Sequence, residues 1–116
     1  MKRYIKADII DVESDDFDNR KAIALDPNTR EVTLWKLSRD PNPSIREAVV
    51  SNPNVPVEIL VQVGKDLDED AWVLEAVAKN EKTPVDVLTK LLKSPRSIVH
   101  DAAAKAVLRY EGHNLI

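Results

Sequence analysis

Residues 40–66 read DPNPSIREAVVSNPNVPVEILVQVGKD, and the larger part of this stretch occurs three times in the chain. Residues 46–66 align without a gap with RKAIALDPNTREVTLWKLSRD (20–40) and with LEAVAKNEKTPVDVLTKLLKS (74–94). Equivalent residues are 26 and then 28 positions apart, as in the columns Ala22, Ala48, Ala76 and Leu34, Leu60, Leu88. A fourth start, HDAAAKAV from residue 100, follows Leu74 by 26 positions. Self-similarity at this period indicates stacked units, each of which buries its apolar face on its neighbours.

Each unit is predicted to hold two short helices joined by a turn. The first helix of the second unit is expected over residues 44–51, with Ser44 as its hydroxyl cap. Ile45, Ala48 and Val49 then share one face, at the i, i+3, i+4 spacing of a buried stripe. The Asn-Pro pair that follows ends this helix, because proline disfavours helical geometry in the residue before it.

The second helices are predicted from caps and from an apolar stripe. In the third unit Thr83, Pro84 and Asp86 stand at the cap, first and third helical positions, which predicts a capping box with proline where its missing amide does no harm. An inward stripe recurs in each second helix. It consists of Leu34 with Leu37, Leu60 with Val63, and Leu88 with Leu91.

Small residues are predicted at the inward positions of the first helices, where they allow neighbouring helices to approach closely. They are Ala22, Ala48, Ala76, Ala102, Ala103, Ala104 and Ala106. The carboxyl-terminal helix has no second helix after it and is expected to finish near Tyr110, with Gly112 as its stop. It therefore looks like a capping half-unit.

Within residues 40–66 the order of aspartate-proline, Ile-Arg, Ala-Val, Asn-Pro, Pro, Glu, Leu and Asp is that of a known repeat. On these residues the chain resembles the leucine-rich repeat variant family, and the likeness extends over roughly residues 20–106. The resemblance implies a right-handed superhelix of paired short helices, related in shape to HEAT-like solenoids, in which one helix of a pair is sometimes only a 3₁₀ turn. It implies nothing about activity, because the family is defined by architecture.

The expected fold is therefore all-α, a right-handed α-solenoid of about three and a half two-helix repeats. Residues 1–19 are expected to form an acidic, partly mobile arm, and residues 20–116 the repeat domain. The predicted repeats cover about residues 20–45, 46–73 and 74–99, followed by a capping helix over residues 100–112.

Composition restricts the chemistry that is open to the chain. It contains no cysteine, which excludes disulfides, thiolate metal sites and cysteine nucleophiles. No apolar run reaches the length of a signal peptide or a membrane span, so a cytoplasmic location is expected. Residues 1–19 hold 3 basic and 6 acidic residues and the rest of the chain 14 of each, so the formal net charge of −3 lies wholly in the arm.

The sequence offers little to a catalytic interpretation, and we expect no enzyme activity, no cofactor and no metal. None of the common catalytic or nucleotide-binding motifs occurs, and the chain has only two histidines, His100 and His113. His100 is expected at the surface or in packing between repeats. Four acids of the longer linker, residues 66–70, could attract calcium, but the spacing of a dedicated loop is missing. We favour a solvated linker whose later acids help to start the next helix.

A basic column along the second helices is the main candidate binding surface. Arg39, Lys65 and Lys93 are register equivalents, and Lys36 and Lys90 lie one turn earlier. Equivalent positions of a solenoid line up into a stripe, which could follow an acidic peptide or a nucleic-acid backbone. The competing interpretation is that these cations only complement helix dipoles and keep the surface charged.

Two tryptophans are also of interest. Trp35 corresponds to Val61 and Thr89, which predicts a partly exposed position at the edge of the apolar stripe. There it could anchor a partner, or it could cover the open first end of the stack. Trp72 is expected to pack over the longer linker. The candidate partner-binding residues are Trp35, Lys36, Arg39, Gln62, Lys65, Lys90 and Lys93.

The preferred function is non-catalytic binding of a protein or peptide, through a ladder of side chains that the stack holds in order. One alternative is binding of a nucleic-acid or phosphate backbone by the basic column, which the balanced charge of the repeats disfavours. Another is an acidic decoy, in which the arm (residues 1–19) occupies the groove of a basic partner. No membrane partner is expected, and the partner's identity and the oligomeric state stay open.

Overall fold

The computed structural model describes residues 16–114, with side chains for residues 16–110. Over these residues the chain forms seven α-helices and no strand, which confirms the all-α prediction. The helices are α1 (Phe17–Leu25), α2 (Glu31–Leu37), α3 (Pro43–Val50), α4 (Val57–Gly64), α5 (Ala71–Lys79), α6 (Val85–Leu91) and α7 (Ser97–Asn114). Both members of each predicted pair are α-helices rather than 3₁₀ turns.

The first helices are capped by the side chains of Asp and Asn residues, not by hydroxyl groups. Asp16 accepts a hydrogen bond from the Asn19 amide at 3.2 Å and caps α1. Asn42 caps α3 by accepting from the Ser44 amide at 2.9 Å, so the prediction of Ser44 as the cap is wrong. The helix begins one residue earlier than expected because Pro43 occupies its first position, where no amide hydrogen is needed. Residues 1–15 of the predicted acidic arm lie outside the described residues, and α1 begins before residue 20.

The predicted capping box at α6 is also wrong. Pro84 is the cap residue of α6 and no side chain caps the helix. The Thr83 hydroxyl is fully buried and donates instead to the carbonyl oxygen of Val77, at 2.6 Å. Thr29 donates to Ile23 in the same way, at 2.6 Å. A buried hydroxyl needs a partner, and here it bonds to a carbonyl at the end of the preceding helix that also accepts from the amide of Asp26 or Asn80.

Two turns carry the same hydrogen bond in all three copies of the repeated phrase. In the first turn a side-chain oxygen accepts from the amide two residues on, at Asp26, Asn52 and Asn80. In the second turn Asp40, Asp66 and Ser94 do the same. Short polar side chains favour this turn because they satisfy a backbone amide locally. The sequence repeat is therefore also a repeat of local structure.

The predicted stripes of the second helices are confirmed, whereas the alanine column is only partly inward. The six stripe residues Leu34, Leu37, Leu60, Val63, Leu88 and Leu91 are all buried. Ala48 is buried, but Ala22 is exposed and Ala76 is half-buried. The buried columns of the first helices are one and two residues further on: Ile23, Val49, Val77 and Ala24, Val50, Ala78. Burying Ile or Val removes more apolar surface from water than burying Ala, so the larger side chains decide which face turns inward.

The chain divides into two compact units, one ending at Pro56 and the other starting at Val57. In the first unit α1 packs on α3, and the two run parallel. Arg20, early in α1, pairs with Asp40 just before α3 at 2.8 Å. Asn52, just after α3, donates to Ala24 at the end of α1, at 2.8 Å.

In the second unit α5 and α7 are likewise packed together and parallel. Arg96, before α7, donates to the carbonyl of Leu67, before α5, at 2.6 Å. Tyr110, near the end of α7, donates to the carbonyl of Thr83, beyond the end of α5, at 2.8 Å. The beginnings of the two helices therefore lie together, and so do their ends.

The last helix is longer than predicted. It begins at Ser97 rather than residue 100, and it continues through Gly112 to Asn114. A glycine ends a helix when it takes up the left-handed conformation, and no glycine of the described residues has a positive φ. Gly112 is therefore not a stop.

Candidate functional site

A groove between α4 and α6 holds two of the predicted binding residues. Val61 and Gly64 of α4, and Lys65 directly after it, line one side, and Asp86, Val87 and Lys90 of α6 line the other. We call this the α4–α6 groove. Its volume is about 130 Å³. Sites for small molecules and cofactors usually reach roughly 300 to 1,000 Å³. The groove is therefore the size of a single side chain rather than of a cofactor.

Gly64 allows the two helices to come this close. It is buried, and a β-carbon placed on it would lie 2.6 Å from Cγ1 of Val87 and 3.4 Å from Cγ1 of Val77. Its φ is not positive, so the residue is not needed for an unusual backbone conformation. Glycine is required here by close approach, and the missing side chain leaves the space that becomes the floor of the groove.

Gly64→Ala is expected to lower the free energy of unfolding by about 1 kcal/mol, because the clash with Val87 exceeds the gain in helix propensity. In a Val87→Ala background the same substitution is expected to stabilise the chain by several tenths of a kcal/mol, because the clashing methyl group is gone. Urea unfolding followed by circular dichroism measures all four chains of this cycle. A stabilising effect of Gly64→Ala in the wild-type background would contradict the argument from close approach.

The charges of the groove are arranged along α6. Asp86 lies in the first turn and Lys90 in the last turn, the favourable ends of the helix dipole for each sign. The Asp86 carboxylate accepts from the Val87 amide at 3.1 Å. Lys65 and Lys90 are both exposed, so their ammonium groups are open to a ligand, one from each side of the groove. Two cations and one anion give the groove a small positive charge.

The other predicted binding residues lie elsewhere. Gln62 and Lys93 are exposed, outside the lining of the α4–α6 groove. Trp35, Lys36 and Arg39 belong to the first unit, where Lys36 is exposed. Trp35 is half-buried, as predicted, and the guanidinium of Arg39 lies 5.9 Å from the centre of its ring. This distance is within the range of a cation–π contact.

Sequence reasoning missed a second groove, between α5 and α7, with a volume of about 240 Å³. Glu75 and Lys79 of α5 line it, together with Ile98, Asp101, Lys105 and Arg109 of α7. The repeat spacing could have indicated this groove, because Asp101 follows Glu75 and Lys105 follows Lys79 by 26 positions each. We call this the α5–α7 groove.

Trp72, which was expected to pack over the longer linker, is 60% exposed on α5. The acids of that linker instead bond to nearby amides. Asp66 accepts from the amide of Asp68 at 2.9 Å, and Asp70 caps α5 by accepting from the amide of Trp72 at 2.9 Å.

His100 is exposed, with Nδ1 2.9 Å from the carbonyl oxygen of Leu92. Among the side chains of residues 16–110, no group of three or more acidic, His or Cys residues is placed to hold a metal ion.

Over the described residues, the fold is that of an all-α protein built from short helices in pairs. No family model, no curated protein and no solved structure matches the chain. In the part of the chain that the structure describes, no helix is both long and apolar enough to span a membrane.

Proposed function

We propose that the chain is a non-catalytic scaffold for a protein or peptide, built as a right-handed α-solenoid of the leucine-rich repeat variant type. Three features support the solenoid. The same turn bonds recur at equivalent positions of the three sequence repeats, first helices run parallel within each unit, and the equivalent stripe residues are buried. Regular stacks of this kind present side chains at fixed spacing, and a partner can dock on them without ordering a loop.

The α4–α6 groove is the observation that carries the binding proposal. Its volume of about 130 Å³ suits one side chain, and Lys65 and Lys90 stand at its rim above an apolar floor of Val61 and Val87. An acidic side chain could place its methylene groups on this floor and its carboxylate between the two ammonium groups. The groove therefore fits a peptide with an acidic residue as its anchor.

The same groove favours a protein or peptide over a nucleic acid. Asp86 lines it, and a phosphate backbone would bring repeated negative charge against that carboxylate. A binding surface for nucleic acid is normally more uniformly basic and interleaved with aromatic residues. Binding of nucleic acid would show a steep loss of affinity with added salt, whereas one anchoring carboxylate gives a shallow dependence. The acidic-decoy alternative depends on residues 1–19, most of which lie outside the described residues.

A charge-reversal pair tests the proposal. Peptides would be selected on the wild-type chain from a random display library, and their affinities measured on a Lys65→Glu, Lys90→Glu variant. We expect selected peptides to be rich in Asp or Glu, and the double reversal to weaken binding at least about tenfold, because it places like charges around the carboxylate. A Lys21→Glu, Lys82→Glu variant is the matched control, since both variants shift the formal net charge from −3 to −7.

Two results would contradict the α4–α6 groove as the binding site. One is selection of basic or uncharged peptides. The other is equal weakening by both double variants, which would show a response to net charge alone.

A further inference from the structure

The outward face of α5 and α7 carries two exposed apolar side chains at its opposite ends. Trp72 is 60% exposed near the start of α5, and Leu108 is 63% exposed near the end of α7. Trp72 lies three residues before Glu75, and Leu108 three residues after Lys105, so each shares a helix face with a residue of the α5–α7 groove. An exposed tryptophan beside a groove is the kind of residue that anchors interfaces. We call this surface the α5–α7 face.

Charge on the α5–α7 face is sorted along the helices. Since α5 and α7 run parallel, their equivalent acids Glu75 and Asp101 lie at one level of the groove. Lys79 and Lys105 follow four residues later, and Arg109 lies beyond them. At 1.5 Å per residue, the acidic and basic levels are about 6 Å apart along the helix axis. The face is acidic toward the start of the helices and basic toward their ends.

Such a face is complementary to itself. A two-fold axis perpendicular to the helices, between the two levels, turns the acidic level of one copy onto the basic level of another. Each helix then lies antiparallel to its own copy, so Trp72 of one copy lies against the end of α5 of the other, where a cation–π contact with Lys79 can form. We propose that the α5–α7 face binds the same face of a second copy of this chain, with the helices antiparallel.

The charges of the face are available for this pairing. Lys79 bonds to Glu75 within α5 at 3.1 Å, but the lysine side chain is 66% exposed. The Glu75 side chain is 20% exposed, but a single pair with an exposed lysine contributes little, so exchanging it for pairs across an interface is not opposed strongly. Closed two-fold dimers are the commonest assemblies of identical chains, and they require a self-complementary patch. This proposal concerns a surface other than the α4–α6 groove and does not depend on the proposed function.

Charge-swapped variants test the dimer by sedimentation equilibrium on the full chain. The wild type is expected to rise from 13.0 kDa toward twice that mass with increasing concentration. A Lys79→Glu, Lys105→Glu variant and a Glu75→Lys, Asp101→Lys variant should each raise the dimer dissociation constant at least about tenfold. An equimolar mixture of the two should restore association to at least the wild-type level, because each copy then offers the charge that the other lacks.

Trp72 supplies a second measurement on an otherwise native surface. In a Trp35→Phe background the fluorescence of Trp72 is expected to shift to shorter wavelength as the chain is concentrated, because dimerisation removes this side chain from water. The proposal is overturned if the wild type stays at 13.0 kDa up to roughly millimolar concentration. It is also overturned if both folded charge variants dimerise as well alone as mixed, or if Trp72 emission does not respond to concentration. Should a charge variant not fold, the fluorescence result decides.

Discussion

Asn52→Asp is expected to lower the free energy of unfolding by about 3 to 4 kcal/mol. Asn52 is fully buried, and its Nδ2 donates to the carbonyl oxygens of Ala24 at 2.8 Å and Asp26 at 2.9 Å. Aspartate keeps the shape of the side chain but loses both donors. A carboxylate oxygen would then face two carbonyl oxygens without a proton between them. Urea unfolding of the two chains measures the difference.

The register-equivalent residue of the first repeat is the matched control. Asp26 makes the same turn bond, to the Asn28 amide at 2.8 Å, so an aspartate is compatible with that turn. Asp26→Asn is therefore expected to change the unfolding free energy by no more than about 0.5 kcal/mol. If Asn52→Asp and Asp26→Asn lowered the unfolding free energy by similar amounts, the turn would be the reason for Asn52, and the two hydrogen bonds donated by its Nδ2 would not.

Asp40→Ala is expected to lower the free energy of unfolding by about 3 kcal/mol, because it removes a hydrogen-bonded carboxylate from a nearly buried arginine. The carboxylate of Asp40 accepts from Nε of Arg20 at 2.8 Å and from its Nη2 at 3.4 Å. The side chains are only 13% exposed for Arg20 and 5% for Asp40. Asp40 also accepts from the Asn42 amide at 2.9 Å, so the substitution removes a turn bond as well.

Asp66→Ala separates these two contributions. Asp66 is the register equivalent of Asp40 and makes the same turn bond, to the Asp68 amide at 2.9 Å, but it is exposed. Its replacement is expected to destabilise by about 1 kcal/mol, the usual value for one hydrogen bond. Arg20→Ala combined with Asp40→Ala should be less destabilising than the sum of the single effects, because both single substitutions remove the same interaction. Equal losses at Asp40 and Asp66 would contradict a stabilising role of the ion pair.

The secondary structure and much of the core could be predicted from periodicity. Leu34, Leu60 and Leu88 are buried at the predicted spacing, because a stripe of large apolar residues has one stable place in a packed helix. Caps were less predictable. Ser44 and Thr83 both have the chemistry of a cap, but Asn42 caps α3, and Thr83 donates to a carbonyl six residues before it. Several polar residues near a helix start can make such bonds, and packing selects among them.

The candidate sites were predictable in part. Lys65 and Lys90 were chosen because they recur with the repeat, and they do line one groove. The α5–α7 groove escaped prediction because its lining comes from two first helices whose mutual packing the sequence analysis did not consider, and Trp72 was expected to pack over the longer linker. Its exposure of 60% depends on where α7 lies against α5, which no local pattern encodes.

The amino-acid sequence by itself determined the helical repeat, its spacing of 26 and 28 residues, and the stripe that each second helix buries. These properties follow from side-chain size, helix period and turn chemistry, which act over a few residues at a time. Only the tertiary structure decided that Gly64 opens a groove at Val87, that Asn52 is tied to the end of α1, and that acids and bases are sorted along the α5–α7 face. Each of these depends on the distance between segments far apart in the chain, and that distance is set when the helices pack.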